Sequence, residues 1–136
     1  MKKLTLLLLL MVSTNVMSEW SKVSKSKDGD MTFYVDFGTI KEKGDKVKMW
    51  NLFDHKTVQG DVEGDRYLST LSHSEYDCEE DTIQLLDIYW YSGNMRGGEI
   101  VSSQTNLKDE TETRSILPDT IQSVLFKKAC GKRWKN

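Results

Sequence analysis

The sequence is poor in proline, histidine and cysteine: its 136 residues include one proline, two histidines and two cysteines. A single proline together with 38% hydrophobic residues argues against a disordered, proline-rich chain and indicates a packed domain. Neither His55 nor His73 has a second histidine or a cysteine at the spacing of a metal site. We therefore predict no metal site and no cofactor.

An excess of positive charge is also absent, because 19 Lys and Arg residues stand against 21 Asp and Glu residues. Nucleic acids and anionic lipids attract basic surfaces, so no nucleic-acid partner is predicted. The sequence contains no Gly-x-Ser-x-Gly segment of the kind that presents a catalytic serine. The glycine-rich residues 93–98 do not match a nucleotide-binding pattern, and a hairpin turn accounts for them. We predict a protein without enzymatic activity.

No hydrophobic run is long enough for a membrane span. The main run, residues 4–12, has nine residues, whereas a membrane-spanning helix needs about 20. Two lysines precede this run, and Val16 and Ser18 suit the positions before a cleavage site. This order predicts a signal peptide over residues 1–18 and a single domain over residues 19–136. The mature protein is expected outside the cytoplasm, with no integral membrane segment.

The meaning of the two cysteines, Cys78 and Cys130, depends on this compartment. In a reducing cytosol they would be free thiols or partial metal ligands, whereas two cysteines in an exported chain most simply form one disulfide. A redox-active pair is the other alternative, but such pairs usually have the spacing Cys-x-x-Cys, which is absent. We predict a structural disulfide between Cys78 and Cys130.

Several segments alternate between apolar and polar residues with a period of two, which is typical of strands with one face on a core. Glycine-containing turn signals at residues 28–29 and 43–45 precede the first two of these segments. The pattern predicts an antiparallel sheet. The candidate strands are residues 31–37, 46–53, 67–76, 83–91 and 99–103.

The candidate strand 83–91 breaks strict alternation, because Ile83 and Leu85 fall on one side while Ile88 and Trp90 fall on the other. A β-bulge near Leu85 and Leu86 would account for this change, and so would burial on both faces of a central strand. We favour the central strand.

The period changes to that of a helix near the end of the chain, where Ile121, Val124 and Leu125 are neighbours at helical spacing. Pro118 and Asp119 suit a first helical turn, so a helix is predicted over residues 119–129. The predicted fold is α+β: an antiparallel sheet of about five to six strands, with one C-terminal helix on one face. The predicted disulfide would tie that helix to the end of a strand.

Aromatic residues are frequent in these strands. Tyr89 and Tyr91 share one face of their strand, and Trp50 and Tyr34 lie on other strands. These four residues are the candidate partner surface, an aromatic patch on the face away from the core. The alternative, which we favour, is that the helix covers this face and buries them.

Residues 61–65 space three carboxylates alternately, which could suggest a calcium site. The segment lacks the full spacing of a calcium-binding loop and its final glutamate. A solvated acidic loop is therefore favoured over a cation site.

The order of these segments resembles the bacterial surface-adhesin protein E family over nearly all of the mature chain. Each segment alone is a common strand, turn or helix pattern, and the specificity lies in their order together with the two cysteines. The matching segments are Trp20-Ser21-Lys22-Val23, Phe33-Tyr34-Val35-Asp36, residues 46–52, residues 91–95, Gly98-Glu99-Ile100-Val101 and residues 118–130.

This resemblance implies an exported adhesin-like domain that binds a protein partner, such as the host matrix and serum proteins vitronectin, laminin and plasminogen. The resemblance also implies surface display of the kind found in the founding members, through a lipid anchor on a cysteine at the signal cleavage site, but residues 16–19 contain no cysteine. We therefore expect a periplasmic or secreted protein that is not anchored in this way, with surface display kept open. The alternatives are a periplasmic interaction or structural protein that shares only the fold, and a hydrolase or ligand carrier. Dimerisation through an edge strand is left open, because the sequence does not determine it.

Overall fold

The structure is a computed structural model, and it describes residues 19–60 and 64–131. The predicted signal peptide and most of the acidic segment 61–65 lie outside the described residues. Three single-turn 3-10 helices, Phe37–Thr39, Asn94–Arg96 and Leu107–Asp109, lie in connections of the described part. Its strands and helix are β1 (Ser21–Lys25), β2 (Met31–Val35), β3 (Lys41–Lys43), β4 (Lys46–Gln59), β5 (Tyr67–Asp77), β6 (Thr82–Tyr91), β7 (Ile100–Gln104), β8 (Arg114–Ser115) and α1 (Ile121–Cys130).

The strands form one antiparallel sheet in the order β1-β2-β4-β5-β6-β7. Two short strands join it at the side, with β3 paired to β4 and β8 paired to β6. The prediction of an α+β fold with five to six main strands is confirmed. All five candidate strands occur, whereas the short strands β1, β3 and β8 were not predicted.

The first candidate strand ends earlier than predicted, at Val35, and Phe37 lies 45% exposed in a 3-10 turn. The cause is Asp36, whose carboxylate accepts the backbone N–H of Gly38 at 3.0 Å. This local bond competes with continued strand pairing and turns the chain.

The helix also begins later than predicted, at Ile121. Asp119 has a φ of 60°, a left-handed conformation that a right-handed helix does not contain. Thr120 is the N-cap, and its side chain accepts the N–H of Ser123 at 3.3 Å. Gly131 follows the last helical residue with a φ of 54°, a conformation that glycine adopts at low cost.

The main core lies between α1 and one face of the sheet. Val35, Val47 and Met49 are fully buried there against Phe126, and the rings of Tyr76 and Phe126 lie 6.1 Å apart. The predicted disulfide is confirmed: Cys78, just after β5, is bonded to Cys130 in the last turn of α1. Helix and sheet are therefore joined both by apolar packing and by a covalent bond.

Strand β6 contains both features that were offered for its broken alternation. It is an interior strand, and its pairing with β5 shifts so that His73 faces Asp87 while Ser74 faces Leu85. Leu86 is the extra residue of a β-bulge. Because of the bulge, the apolar residues before and after it share the α1 side of the sheet, and Tyr89 and Tyr91 lie on the other side.

Candidate functional site

The second face of the sheet, opposite α1, carries a row of apolar and aromatic side chains that crosses four strands. Tyr34 on β2 pairs with Leu52 on β4, Leu52 with Leu71 on β5, and Leu71 with Tyr89 on β6. Tyr91 also packs in this cluster, next to Leu52 and Leu71. The favoured interpretation, in which α1 covers these aromatic residues, is wrong, because α1 packs on the other face.

Leu71, Tyr89 and Tyr91 of this group form part of the floor of an open cleft of about 380 Å³, called the aromatic cleft below. The structure brings Tyr34, Trp50, Tyr89 and Tyr91 into one cluster, and the last three line the cleft. Their role as a partner surface stays a prediction. The residues lining the aromatic cleft are Trp20, Asp36, Thr39, Trp50, Leu71, Tyr89, Tyr91 and Arg96.

Trp50 is held in place from several sides. Its indole stacks on the His73 ring at 4.3 Å with an interplanar angle of 4°, and its ring centroid lies 6.3 Å from that of Tyr89. Its backbone N–H donates to the Thr39 hydroxyl at 3.1 Å. The central aromatic surface of the cleft is thus preorganised.

His73 is itself oriented by a carboxylate, since its Nδ1 lies 2.9 Å from Oδ2 of Asp87. The other oxygen of Asp87 accepts the backbone N–H of Asn106 at 3.0 Å. Burial acts to raise the pKa of Asp87, but the hydrogen bonds from His73 and Asn106 outweigh it and hold the pKa below the usual aspartate value. Asp87, His73 and Trp50 therefore form a connected row across three strands, and this row supports the Trp50 side of the cleft.

One wall of the cleft is the loop between β6 and β7, residues 92–99, which is the hairpin connection expected from its glycines. The buried Ser69 hydroxyl donates to the Gly93 carbonyl at 2.7 Å and accepts the Arg96 N–H at 3.0 Å. Asp54 accepts the Met95 N–H at 2.8 Å. These bonds fix the loop over the sheet.

Arg96 extends from this loop towards the aromatic floor. Its guanidinium carbon lies 5.6 Å from the centroid of the Tyr91 ring, and Nη2 donates to the Tyr91 hydroxyl at 3.4 Å. Among the described residues, no carboxylate forms an ion pair with Arg96. Arg96 therefore contributes a positive charge to the lining of the cleft.

The turn after β2 forms another part of the lining. Asp36 is half-buried there, and one of its carboxylate oxygens accepts the Gly38 N–H. The Thr39 hydroxyl donates to the Asp36 carbonyl at 2.6 Å. The cleft therefore carries one carboxylate and one guanidinium beside an apolar floor.

The two histidines lie apart. His55 is near Asp30, with Nδ1 3.7 Å from Oδ2, and its ring meets that of Tyr67 edge to face. Within residues 19–60 and 64–131, no three His, Cys, Asp or Glu side chains gather in an arrangement that could hold a metal ion. The aromatic cleft offers contact area and two charges, which are suited to binding.

A family model for surface-adhesin protein E matches residues 20–131. The chain belongs to the surface-adhesin protein E family. The match confirms the resemblance to this family that was inferred from the sequence. A search of curated proteins found no match. No described helix is long and apolar enough to cross a bilayer.

Solved structures of Haemophilus influenzae protein E share the fold of this surface-adhesin protein E family member. The selenomethionine form has a TM-score of 0.62 at 14% identity, with 88% of this chain and 91% of that chain covered. Crystal form II has a TM-score of 0.61 at 15% identity, covering 88% and 93%. Protein E from a non-typeable strain has a TM-score of 0.55 at 15% identity, covering 85% and 79%.

The sequence did not indicate five of the residues that line the cleft: Trp20, Asp36, Thr39, Leu71 and Arg96. Trp20 was noted only for the resemblance, and Asp36 was assigned to a polar strand position. The signal that could have found Arg96 is the segment 92–98, where a methionine and an arginine stand between glycines and small polar residues.

Proposed function

We propose that this protein is an exported, non-enzymatic binding module of the adhesin type, with a signal peptide over residues 1–18 and one binding domain over residues 19–136. Its partner is a protein, of the host matrix or serum class that the family's adhesin role implies. The aromatic cleft, with Tyr34, Trp50, Tyr89 and Tyr91, is the contact surface.

The observation that carries this proposal is an aromatic surface left accessible on the sheet face that α1 does not cover. Tyr34, Trp50 and Tyr89 are half-buried, and each packs against a buried apolar cluster. Tryptophan, tyrosine and arginine are enriched among the residues that contribute most to binding at protein interfaces. The aromatic rings add large contact areas with little loss of side-chain freedom.

The test compares a tyrosine of the cleft with a tyrosine outside its lining. Tyr89→Ala removes a ring from the cleft, whereas Tyr67→Ala removes a half-buried ring that packs near His55 and Trp90. Both variants of residues 19–136 are titrated onto immobilised vitronectin, laminin and plasminogen. We expect Tyr89→Ala to weaken binding about tenfold or more and Tyr67→Ala to stay within about twofold of the wild type.

Equal losses in both variants would assign the effect to stability, and unchanged binding by Tyr89→Ala would exclude the cleft as the contact surface. Location is tested separately by protease digestion of intact source cells beside a periplasmic control protein. Digestion of this protein alone supports surface display. Protection of both, followed by release on osmotic shock, favours a periplasmic partner.

Self-association is the remaining part of the proposal. The outer strands β1 and β7 each have one unpaired edge within the described sheet. Edge β1 carries Lys22 and Lys25 and an irregular register, features that discourage pairing, whereas β7 contains no charged residue. A homodimer would therefore form through β7. Ser103→Lys adds a charge to this strand, and sedimentation of the wild type and of the variant tests whether the charge converts a dimer into a monomer.

A further inference from the structure

The aromatic cleft contains two charges that do not neutralise each other. Asp36 lies in the turn after β2, and Arg96 lies in the loop after β6. No ion pair joins Arg96 to Asp36 or to another carboxylate in the described part of the chain. A ligand in the cleft therefore meets an anion and a cation of the protein at separate points.

The backbone at Arg96 has a conformation that few residues other than glycine adopt. Met95 and Arg96 have φ values of 52° and 62°, so two consecutive residues other than glycine are left-handed. The bonds from Asp54 and Ser69 to this loop hold them there. Such conformations persist where surrounding contacts impose them, and they cluster at ligand-binding sites.

The environment of Arg96 suits recognition of a carboxylate. The Tyr91 ring lies beneath its guanidinium and restricts its orientation. A guanidinium presents parallel N–H donors that match the two oxygens of a carboxylate, and this pairing is stronger where water is partly excluded. Asp36 offers the complementary interaction, because an ionised carboxylate has acceptor positions beyond the one that Gly38 occupies.

The rest of the cleft lining is largely apolar, and the cleft is small. Trp50, Leu71 and Tyr89 line the cleft together with the two charged residues, and the volume of about 380 Å³ falls at the lower end of the range of about 300 to 1,000 Å³ for ligand pockets. It accommodates one large apolar side chain together with its flanking groups.

We propose that the aromatic cleft binds a short peptide segment of the partner in which an acidic and a basic side chain flank an apolar residue, the acidic one at Arg96 and the basic one at Asp36. This inference rests on the proposed function and adds the chemistry of the ligand. A peptide supplies both charges and an apolar group in one chain. An acidic glycan would leave Asp36 unpaired, and the formal net charge of −2 disfavours polyanions.

The test uses three acetylated and amidated peptides: Glu-Gly-Phe-Gly-Lys, its reversed-charge form Lys-Gly-Phe-Gly-Glu, and the neutral Gln-Gly-Phe-Gly-Gln. Binding to residues 19–136 is followed by the indole N–H resonances. Trp20 and Trp50 report on the cleft, and Trp90 on the opposite face is the internal reference. The two charged peptides differ only in the direction in which the charges are ordered, so we expect one of them to fit the cleft. That peptide should shift the indole N–H resonances of Trp20 and Trp50 and bind at least tenfold more tightly than the neutral peptide.

Two variants test the pairing of charges. Arg96→Met keeps an apolar stem, and Asp36→Asn keeps an acceptor for Gly38. Each should reduce the advantage of the charged peptide to less than threefold and flatten its salt dependence. Arg114→Met, a matched change of an exposed arginine on β8 outside the cleft lining, should retain that advantage.

Equal binding of charged and neutral peptides, or an unchanged advantage in Arg96→Met, overturns the charge pairing. Neither result alters the comparison of Tyr89→Ala with Tyr67→Ala on whole partner proteins, so the proposed function is judged separately. If none of the three peptides shifts Trp50 while sialyllactose or a heparin disaccharide does, the ligand is a glycan and the peptide proposal is wrong. No shift with any probe also overturns it.

Discussion

At the residue scale, the α1 side of the sheet contains polar groups that are buried without an evident partner. The Nδ2 atom of Asn51 and the hydroxyl of Tyr76 have no hydrogen-bond partner among the described residues. Burial raises the pKa of the Tyr76 phenol far above its usual value, because the charged form is disfavoured away from water. Tyr76 therefore stays neutral in the folded protein.

Replacement of Tyr76 by phenylalanine should not destabilise the protein, because the change removes a buried hydroxyl without breaking a hydrogen bond. We expect the free energy of unfolding in urea to stay the same or rise by about 1 kcal/mol. Ser69→Ala is the contrasting variant, since the buried Ser69 hydroxyl makes two hydrogen bonds and its loss should cost about 1 to 3 kcal/mol. A marked loss in Tyr76→Phe would mean that its hydroxyl has a partner.

Asp87 should make stability depend on pH in the acidic range. Its folded-state pKa lies below the ordinary aspartate value, so its stabilising contribution is complete above the unfolded-state pKa of about 4 and is lost as pH falls through the folded-state pKa. Asp87→Asn should lower the free energy of unfolding at pH 7 by about 1 kcal/mol. The difference in the free energy of unfolding between Asp87→Asn and the wild type should become smaller as the pH falls below about 4.

Urea denaturation at neutral pH and at several acidic values measures this difference. The exposed Asp109 provides the matched change, because Asp109→Asn should follow the wild type at every pH. A constant difference between Asp87→Asn and wild type across the acidic range would show that the carboxylate charge does not contribute.

At the scale of elements, α1 depends on the sheet for its stability. It has ten residues, and isolated helices shorter than about 12 to 15 residues are marginal in water. Leu125, Phe126 and Ala129 are buried against the strands, and Cys130 is bonded to Cys78. Packing and the disulfide together hold α1 on one face and leave the aromatic face uncovered.

Removal of the disulfide should destabilise the fold markedly. The two cysteines are 52 residues apart, and the loop-entropy model assigns a bridge over this length about 4 kcal/mol. The double change of Cys78 and Cys130 to serine should therefore lower the free energy of unfolding by about this amount. Reduction of the wild type with dithiothreitol should give a similar loss, measured by urea denaturation.

The matched control is the double-serine variant treated with the same reductant, which should not change further. If the oxidised wild type and the double-serine variant unfold at the same urea concentration, the bridge contributes nothing to stability and packing alone holds α1.

At the scale of the whole molecule, both faces of one sheet carry buried clusters. Strand β4 contributes Val47 and Met49 to the core under α1 and Leu52 to the aromatic cluster, and β5 contributes Tyr76 and Leu71 in the same way. Strands β4 and β5 contribute residues to both clusters, so neither cluster can form unless these two strands are paired. The sheet is therefore expected to fold as one unit.

Residues 19–136 should consequently unfold in one transition. Calorimetry of the oxidised chain should give a calorimetric enthalpy equal to the van't Hoff enthalpy, which is the signature of two-state unfolding. Tryptophan fluorescence, which includes Trp50 on the cleft side, and far-ultraviolet circular dichroism should change at the same temperature. Separate transitions would show that the aromatic cluster and the α1 core are independent.

The sequence by itself determined which side chains share a face within each strand, because the period of two is a local property of extended backbone. Tyr89 and Tyr91 were placed together for that reason, and the disulfide followed from two cysteines and an export signal. The start of α1 was placed too early, since the conformation of Asp119 is not visible in an apolar pattern. Local periodicity thus predicts elements and faces better than their ends.

Only the tertiary structure decided which sheet face α1 covers, because both faces carry apolar residues and the choice depends on packing between distant segments. It also decided that Asp36 and Arg96 line the same cleft. Both residues lie in connections, where no repeating pattern indicates direction, and their positions are set by hydrogen bonds to Gly38 and Ser69. The sequence therefore determined the aromatic floor of the cleft, and long-range contacts determined its accessibility and its charges.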